Sequence, residues 1–423
     1  MPMMTTKSKS ALTWIFIFTV LFSGYLIRRI IDFNSLFITL LIAEIVVAAF
    51  INWRFNPLQV GVVRSILGLL FMFSGFVKGV DPIGTQYRIS DYFIAFGTEW
   101  AIPYSLPLAV ILNASEFVLG AMLLFNIKLK VTSWLVMIMM TVFTVTTLND
   151  AIYNPVPDCG CFGDALILTN WQTFYKNLVI DALLMIVFFS RFRIRFSFDT
   201  KVEYALIVSF ILGFVWFEIF NIQHLPVIDF REWKVGNKMI IEEKKPLQYY
   251  LTYKNKDTGE IREYLSPDYP YDDSVWMSKW EFVKQRVVDP NPKVSDLAIE
   301  DEAGNDVTND IIANPDFQFM LVSYDINRMN IKKMEDIKKF LSKCNEDGYS
   351  FVLLTSSIPE EVHSFLNKYN LDIDYYFADD VSLEAMVRAN PGLVLLKNGV
   401  VLGKWHYNDF PDFEDFKHKF VDN

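Results

Sequence analysis

Cysteine is scarce in this chain. Three residues among 423 are too few to staple a small fold with disulfides. Positive charge is scarce in the second half, where 24 Lys and Arg face 36 Asp and Glu beyond residue 222. A nucleic-acid binder needs a basic footprint, so that class is excluded. A small-residue cleavage site is also lacking after the first apolar run, ALTWIFIFTVLFSGYLI, and more such runs follow. The run is therefore expected to be a retained helix, despite the charge order of a signal peptide before it.

What the chain does have is apolar length. Its hydrophobic content is 52%, and residues 1–222 carry 15 basic and 13 acidic side chains. An integral-membrane half followed by an acidic soluble half is the expected organisation. A spanning helix needs about 20 mostly apolar residues. Seven spans meet that criterion, at 11–27, 34–51, 60–79, 106–126, 131–150, 171–190 and 202–221. Lys7, Lys9, Arg54, Lys128, Lys130, Arg191, Arg193, Arg195 and Lys201 would lie inside, against Arg28, Arg29, Lys78 and Arg88 outside. The bias predicts a cytoplasmic N-terminus and an exported C-terminal half, in the inner membrane of a cell. The loop at 80–105 alternates apolar, aromatic and charged residues, as an amphipathic segment in the bilayer interface does.

Glu44, Arg64, Glu116 and Asp181 fall inside predicted spans. Arg64 is close to a helix end and can snorkel. The three acids are near mid-membrane, where charge is costly, so each should face the bundle interior. Glu116, Asp181 and Lys78 are the polar candidates of the membrane core. They could serve a proton path or simply join helices.

The second half changes character after Asn221. Residues to about 290 read as irregular strands and loops, a connector over 223–292. From 293 strands and helices alternate: a hairpin turning at Gly304-Asn305, a buried strand at 317–326 and an amphipathic helix at 331–344. Then come a strand at 350–357, a helix near 359–369, a hairpin turning at Asn398-Gly399, and a final helix. That order predicts an α/β domain with helices on both faces of one sheet.

Between the predicted fifth and sixth spans stands YNPVPDCGCFGDALILTNW, with Cys159 and Cys161 one glycine apart. The loop should hold its thiols beside the bilayer. Two such thiols close only into a small strained ring, and strain makes a disulfide more oxidising. Gly160 accepts backbone angles that other residues resist. Asp158 and Asp164 would raise the thiol pKa if close, and Lys176 is the nearby cation in sequence that could offset them. A redox pair, a structural disulfide and a metal site are the three readings. Two sulfurs with Asp and no nearby His make a poor zinc set. The sequence calls for no cofactor and no metal.

Two resemblances add to this. The α/β order from 293, with ANPGLVLLKNGVVLGKW, resembles a thioredoxin-like fold, in which the residue matching Pro391 is a cis-proline beside the redox site. That family's Cys-x-x-Cys would follow the strand ending VSYDINRMN. Asp325 to Arg328 stand there instead, and none forms a thiolate. The resemblance therefore implies a redox-inactive partner-binding domain. Residues 57–195 resemble the DoxX family and, within it, the MauE-like methylamine-utilisation proteins. SGFVKGVDPIGTQYRISDYFIAFG, LNASEFVLGAML and PVPDCGCFGDALILTNWQTFYKN carry that likeness. It implies a four-helix membrane core and a part in thiol–disulfide traffic.

The expected organisation is thus two N-terminal helices (1–56), a DoxX/MauE-like core (57–195), a last span (196–222), the connector and a thioredoxin-like domain (293–423). The expected function is thiol–disulfide exchange with an envelope partner or client through Cys159 and Cys161. The competing readings are a membrane scaffold with structural cysteines and a small transporter using Glu116 and Asp181.

Overall fold

The structure, a computed structural model, describes residues 57–156, 158–194, 198–240, 247–288 and 297–422. The predicted spans 11–27 and 34–51, with Glu44, lie outside the described residues. The chain divides into two units, Met1–Ile219 and Phe220–Asn423.

The first unit is helical. Its elements are α1 (Pro57–Val80), α2 (Pro82–Ala95), a 3-10 turn (Glu99–Tyr104), α3 (Ser105–Leu124), α4 (Leu129–Tyr153), α5 (Asn170–Ser190) and α6 (Thr200–Gln223). Five helical segments are long and apolar enough to cross a membrane: α1, Glu99–Leu124, α4, α5 and α6. This is a membrane protein.

Small residues set how its helices pack. A Cβ on Gly75 of α1 would lie 2.6 Å from the backbone nitrogen of Phe117 in α3. Glycine therefore lets the two backbones touch, the device by which membrane helices gain close packing. Leu67, Phe71, Leu119 and Leu123 fill the seam on either side. Arg64 donates to the carbonyls of Leu123 and Leu124, the latter at 2.7 Å. It thus satisfies orphan groups at the end of α3.

The segment read as interfacial contains helix α2. Asp81 caps it by accepting the N–H of Gly84 at 3.0 Å, and Pro82 opens its first turn. The chain enters α5 through a capping box, in which Thr169 and Gln172 satisfy each other's backbone N–H groups.

The second unit contains two sheets. Strands β1 (Gln248–Asn255), β2 (Ile261–Leu265) and β3 (Trp280–Val288) form an antiparallel sheet in the order β2-β1-β3. Irregular strands and loops were expected there. The order comes from an aromatic cluster that the strands share: Tyr253 meets Tyr269 at 5.6 Å and Trp276 at 4.9 Å. The hairpin expected at Gly304 is reduced to a single bridge, Glu300 to Asp306. Asp301 instead organises the turn, its carboxylate accepting the N–H groups of Ala303 and Asn305.

The larger sheet has β4 (Gln318–Ser323), β5 (Ser350–Thr355), β6 (Asp374–Phe377), β7 (Gly392–Lys397) and β8 (Val400–His406), ordered β6-β5-β4-β7-β8. The first three run parallel; β7 and β8 are antiparallel to their neighbours. Every residue of β4 is buried, because alternate side chains enter two cores. Phe319 and Leu321 pack towards the helices Met334–Asp347 and Phe413–Phe420, while Met320 and Val322 face Ile311, Leu383 and Met386. The helix Met334–Asp347 buries Met334, Ile337, Phe340, Leu341 and Cys344, the stripe expected of its apolar spacing. The Asn390–Pro391 peptide bond, just before β7, is cis.

Candidate functional site

The loop from Asn154 to Thr169 is held at both ends. Asn170 donates from its amide to Asn154 Oδ1 at 2.8 Å and to the Val156 carbonyl at 3.1 Å. At its tip Cys159 and Cys161 are joined as a disulfide, with Cα atoms 5.5 Å apart. Gly160 between them has φ +61°, and a Cβ there would approach the Arg88 side chain to 3.0 Å. Conformation and space both call for glycine here.

Three contacts tie this loop to the helices beneath. Asp158 accepts the Gly160 N–H at 2.8 Å and an Arg88 Nη2–H from α2 at 2.7 Å. The Phe162 ring is buried, 5.8 Å from Phe73, with the Lys176 ammonium 4.5 Å from its centre. Ser74 Oγ of α1 stands 2.9 Å from the carbonyl of Cys161 and 2.7 Å from Glu116 Oε2. Glu116 also receives the Lys78 ammonium, and both side chains are almost fully buried. The close α1–α3 seam, with Ser74 and Lys78 four residues apart on one helix face, is what allows that pairing.

Below the loop is a cavity of about 300 Å³. Cys159, Cys161, Ser74, Lys78, Glu116, Arg88, Tyr92, Asp158 and Lys176 line it, within a mostly apolar wall. Tyr92 donates to Asp150 Oδ2 at 2.6 Å. Burial and that bond push the Tyr92 hydroxyl above the usual tyrosine range and keep it neutral. The disulfide therefore borders a buried polar network and an apolar space at once.

Cys159, Cys161, Lys78 and Glu116 thus converge on one cavity. Asp181 is not part of its lining; it accepts from Thr144 at 2.7 Å, joining α4 to α5. Pro391 belongs to the second unit. Of the two carboxylates that Lys176 was expected to offset, Asp158 and Asp164, the first is instead paired with Arg88 on α2. Arg88 was passed over because it lies 70 residues away in sequence. Ser74 was missed too, although its spacing from Lys78 was a usable signal. Glu218 of α6 and Asn113 of α3, both fully buried, were likewise not singled out. Cys344 is buried in the core of the second unit, and burial drives its thiol well above the usual range, which leaves it inert.

Residues 56–190 match the family model described as methylamine utilisation protein MauE. The matched stretch contains α1 to α5 and the whole cysteine loop. No curated protein and no solved structure matches the chain.

Proposed function

We propose that this membrane protein, similar to MauE over residues 56–190, performs thiol–disulfide exchange through Cys159 and Cys161. The observation that carries the reading is the disulfide's position, at the rim of a cavity that also holds the Lys78–Glu116 pair. In the exchange, a partner thiolate attacks one sulfur of the pair and the other leaves as a thiolate. The partner's second thiol then displaces the bound sulfur. The partner ends as a disulfide, and Cys159 and Cys161 end as thiols carrying the two protons the partner lost. Cations in the cavity favour the transient thiolate.

The same proposal gives the second unit a binding task. Its five-stranded mixed sheet with helices on both faces supports a thioredoxin-like reading, and the position after β4 holds Asp325 to Arg328 rather than a dithiol. On this view it recruits an envelope partner and performs no redox chemistry. The membrane core belongs with DoxX-type bundles, seven spans in all, in the inner membrane. The N-terminus is cytoplasmic and the C-terminal unit periplasmic, supported by the Lys/Arg bias of the loops.

The test is covalent capture. The exchange is reversible: in Cys161→Ser the Cys159 thiolate attacks a partner's disulfide, one partner sulfur leaves as a thiolate, and no second thiol in the loop displaces the other, so a partner should accumulate on Cys159 as a mixed disulfide in cells. The adduct should vanish when Cys159→Ser is added. A wild-type pair that resists dithiols, together with no adduct, would refute the exchange reading. A scaffold with a structural disulfide is the second reading, favoured by the firm anchoring of the loop through Asn170, Arg88 and Ser74. It predicts that serine variants lose abundance and lose function only in proportion.

A further inference from the structure

The cavity has features that disulfide exchange with a protein partner leaves unused. It lies on the inner side of the loop, and its volume of about 300 Å³ suits a small molecule rather than a polypeptide. Leu70, Leu112, Met140 and Ile180 make most of its wall apolar. Val142 of α4, which also lines it, is 58% exposed, so the space is open along a membrane-spanning helix. A ligand could enter from the bilayer.

Three cations, Lys78, Arg88 and Lys176, and four carboxylates, Asp81, Glu116, Asp158 and Asp164, line this space. The Lys176 ammonium rests over the Phe162 ring, and no carboxylate among the described residues forms an ion pair with it. Lys78 uses one of its three N–H groups on Glu116. The remaining cation, Arg88, is held by Asp158 and Asp91. A cavity with an apolar wall, two ammonium groups that keep N–H groups to spare and a disulfide at its rim suits a molecule with acceptor oxygens on an apolar ring. If that molecule also takes up two electrons, it completes the chemistry of the pair.

We propose, on the reading that Cys159 and Cys161 exchange electrons, that this cavity binds the ring of a lipid-soluble quinone that reoxidises the pair. Lys176 and Lys78 donate to the quinone oxygens, and the tail leaves past Val142 into the bilayer. In the reaction two S–H bonds break and the Cys159–Cys161 bond forms. Two O–H bonds form on the ring, which departs as the hydroquinone. Electrons then run from a partner dithiol, through the loop, to the quinone. The protein partner meets the outer face of the loop and the quinone the inner face, so the two need not compete.

The experiment uses the full chain in lipid nanodiscs free of quinone. The pair is reduced with dithiothreitol, the reductant is removed, and a ubiquinone with a decyl tail is added. Quinone absorbance and free thiols are followed together. One quinone should be consumed for each pair of thiols lost. Binding of the same quinone to the oxidised protein should weaken about tenfold in Lys176→Met and recover in Lys176→Arg. Thermal unfolding of each variant verifies that it is folded. A reduced pair that exchanges with dithiols but leaves the quinone untouched overturns the quinone assignment and leaves the exchange reading standing. Unchanged quinone binding in a folded Lys176→Met overturns the assigned site. A wild-type disulfide that dithiothreitol cannot reduce brings down both readings.

Discussion

Ser74 and Cys161, 87 positions apart, are linked by a hydrogen bond of 2.9 Å from the serine hydroxyl to the cysteine carbonyl. The same hydroxyl stands 2.7 Å from Glu116 Oε2. A serine carries one hydroxyl hydrogen, so it can serve only one of these acceptors at a time. The Glu116 carboxylate and the Cys161 carbonyl therefore share one hydroxyl, which joins the buried Lys78–Glu116 pair to the backbone of the cysteine loop.

Removing that hydroxyl should loosen the loop and spare the bundle. Ser74→Ala is expected to cost about 1 kcal/mol of local stability, as for a typical hydrogen bond. Amide exchange over residues 158–164 should accelerate relative to wild type, while exchange within α1 and α3 stays unchanged. Equal exchange in the loop would show that the bond does not restrain it.

The α1–α3 seam gives a second expectation. Gly75→Ala places a methyl where the structure leaves 2.6 Å to backbone. Helices must separate, at a cost of about 1–3 kcal/mol for overpacking. Thermal unfolding in detergent should fall accordingly, and Lys78 should lose its register with Glu116. Wild-type stability in this variant would mean that the helices are not so closely packed.

The reach of the sequence differs between the parts of this site. Cys159, Cys161, Lys78 and Glu116 could each be selected on their own, as an uncommon string or as charge in an apolar run. Their convergence could not, because it depends on Gly75 letting α1 and α3 touch. Arg88 was harder still: its partner Asp158 lies beyond two helices, and an amphipathic pattern gives no sign of such a pairing. In the second unit, short continuous apolar runs made β4 and its neighbours legible, because both faces of these strands are buried. The β1–β3 sheet was not, since β3 is exposed over most of its length and its order comes from the aromatic cluster of Tyr253, Tyr269 and Trp276.

Acid should weaken the second unit. His406, at the end of β8, is buried and accepts the Asn408 N–H at 3.1 Å. Burial, aided by His224 and opposed by Asp409, lowers its pKa from 6.5 to about 4. The unfolded chain therefore binds the proton more readily between those values. Stability is full above about pH 6.5 and is lost as pH falls towards 4, by on the order of 3 kcal/mol. Chemical unfolding followed by tryptophan fluorescence should show this slope, and His406→Gln should flatten it. A slope unaltered by the substitution would assign the acid sensitivity elsewhere.

The central claim is that Cys159 and Cys161 exchange electrons rather than merely close a loop. The most direct measurement is the reduction potential of the pair, obtained by equilibrating the full-length protein in nanodiscs with dithiol buffers and counting thiols. Cysteines only two positions apart close little chain, and an exchanging pair must be reducible by its partners. The potential should therefore lie well above about −300 mV, the range below which structural disulfides fall. A value below that mark, with a pair that dithiols cannot open, would contradict the account and leave the cysteines as a structural clasp.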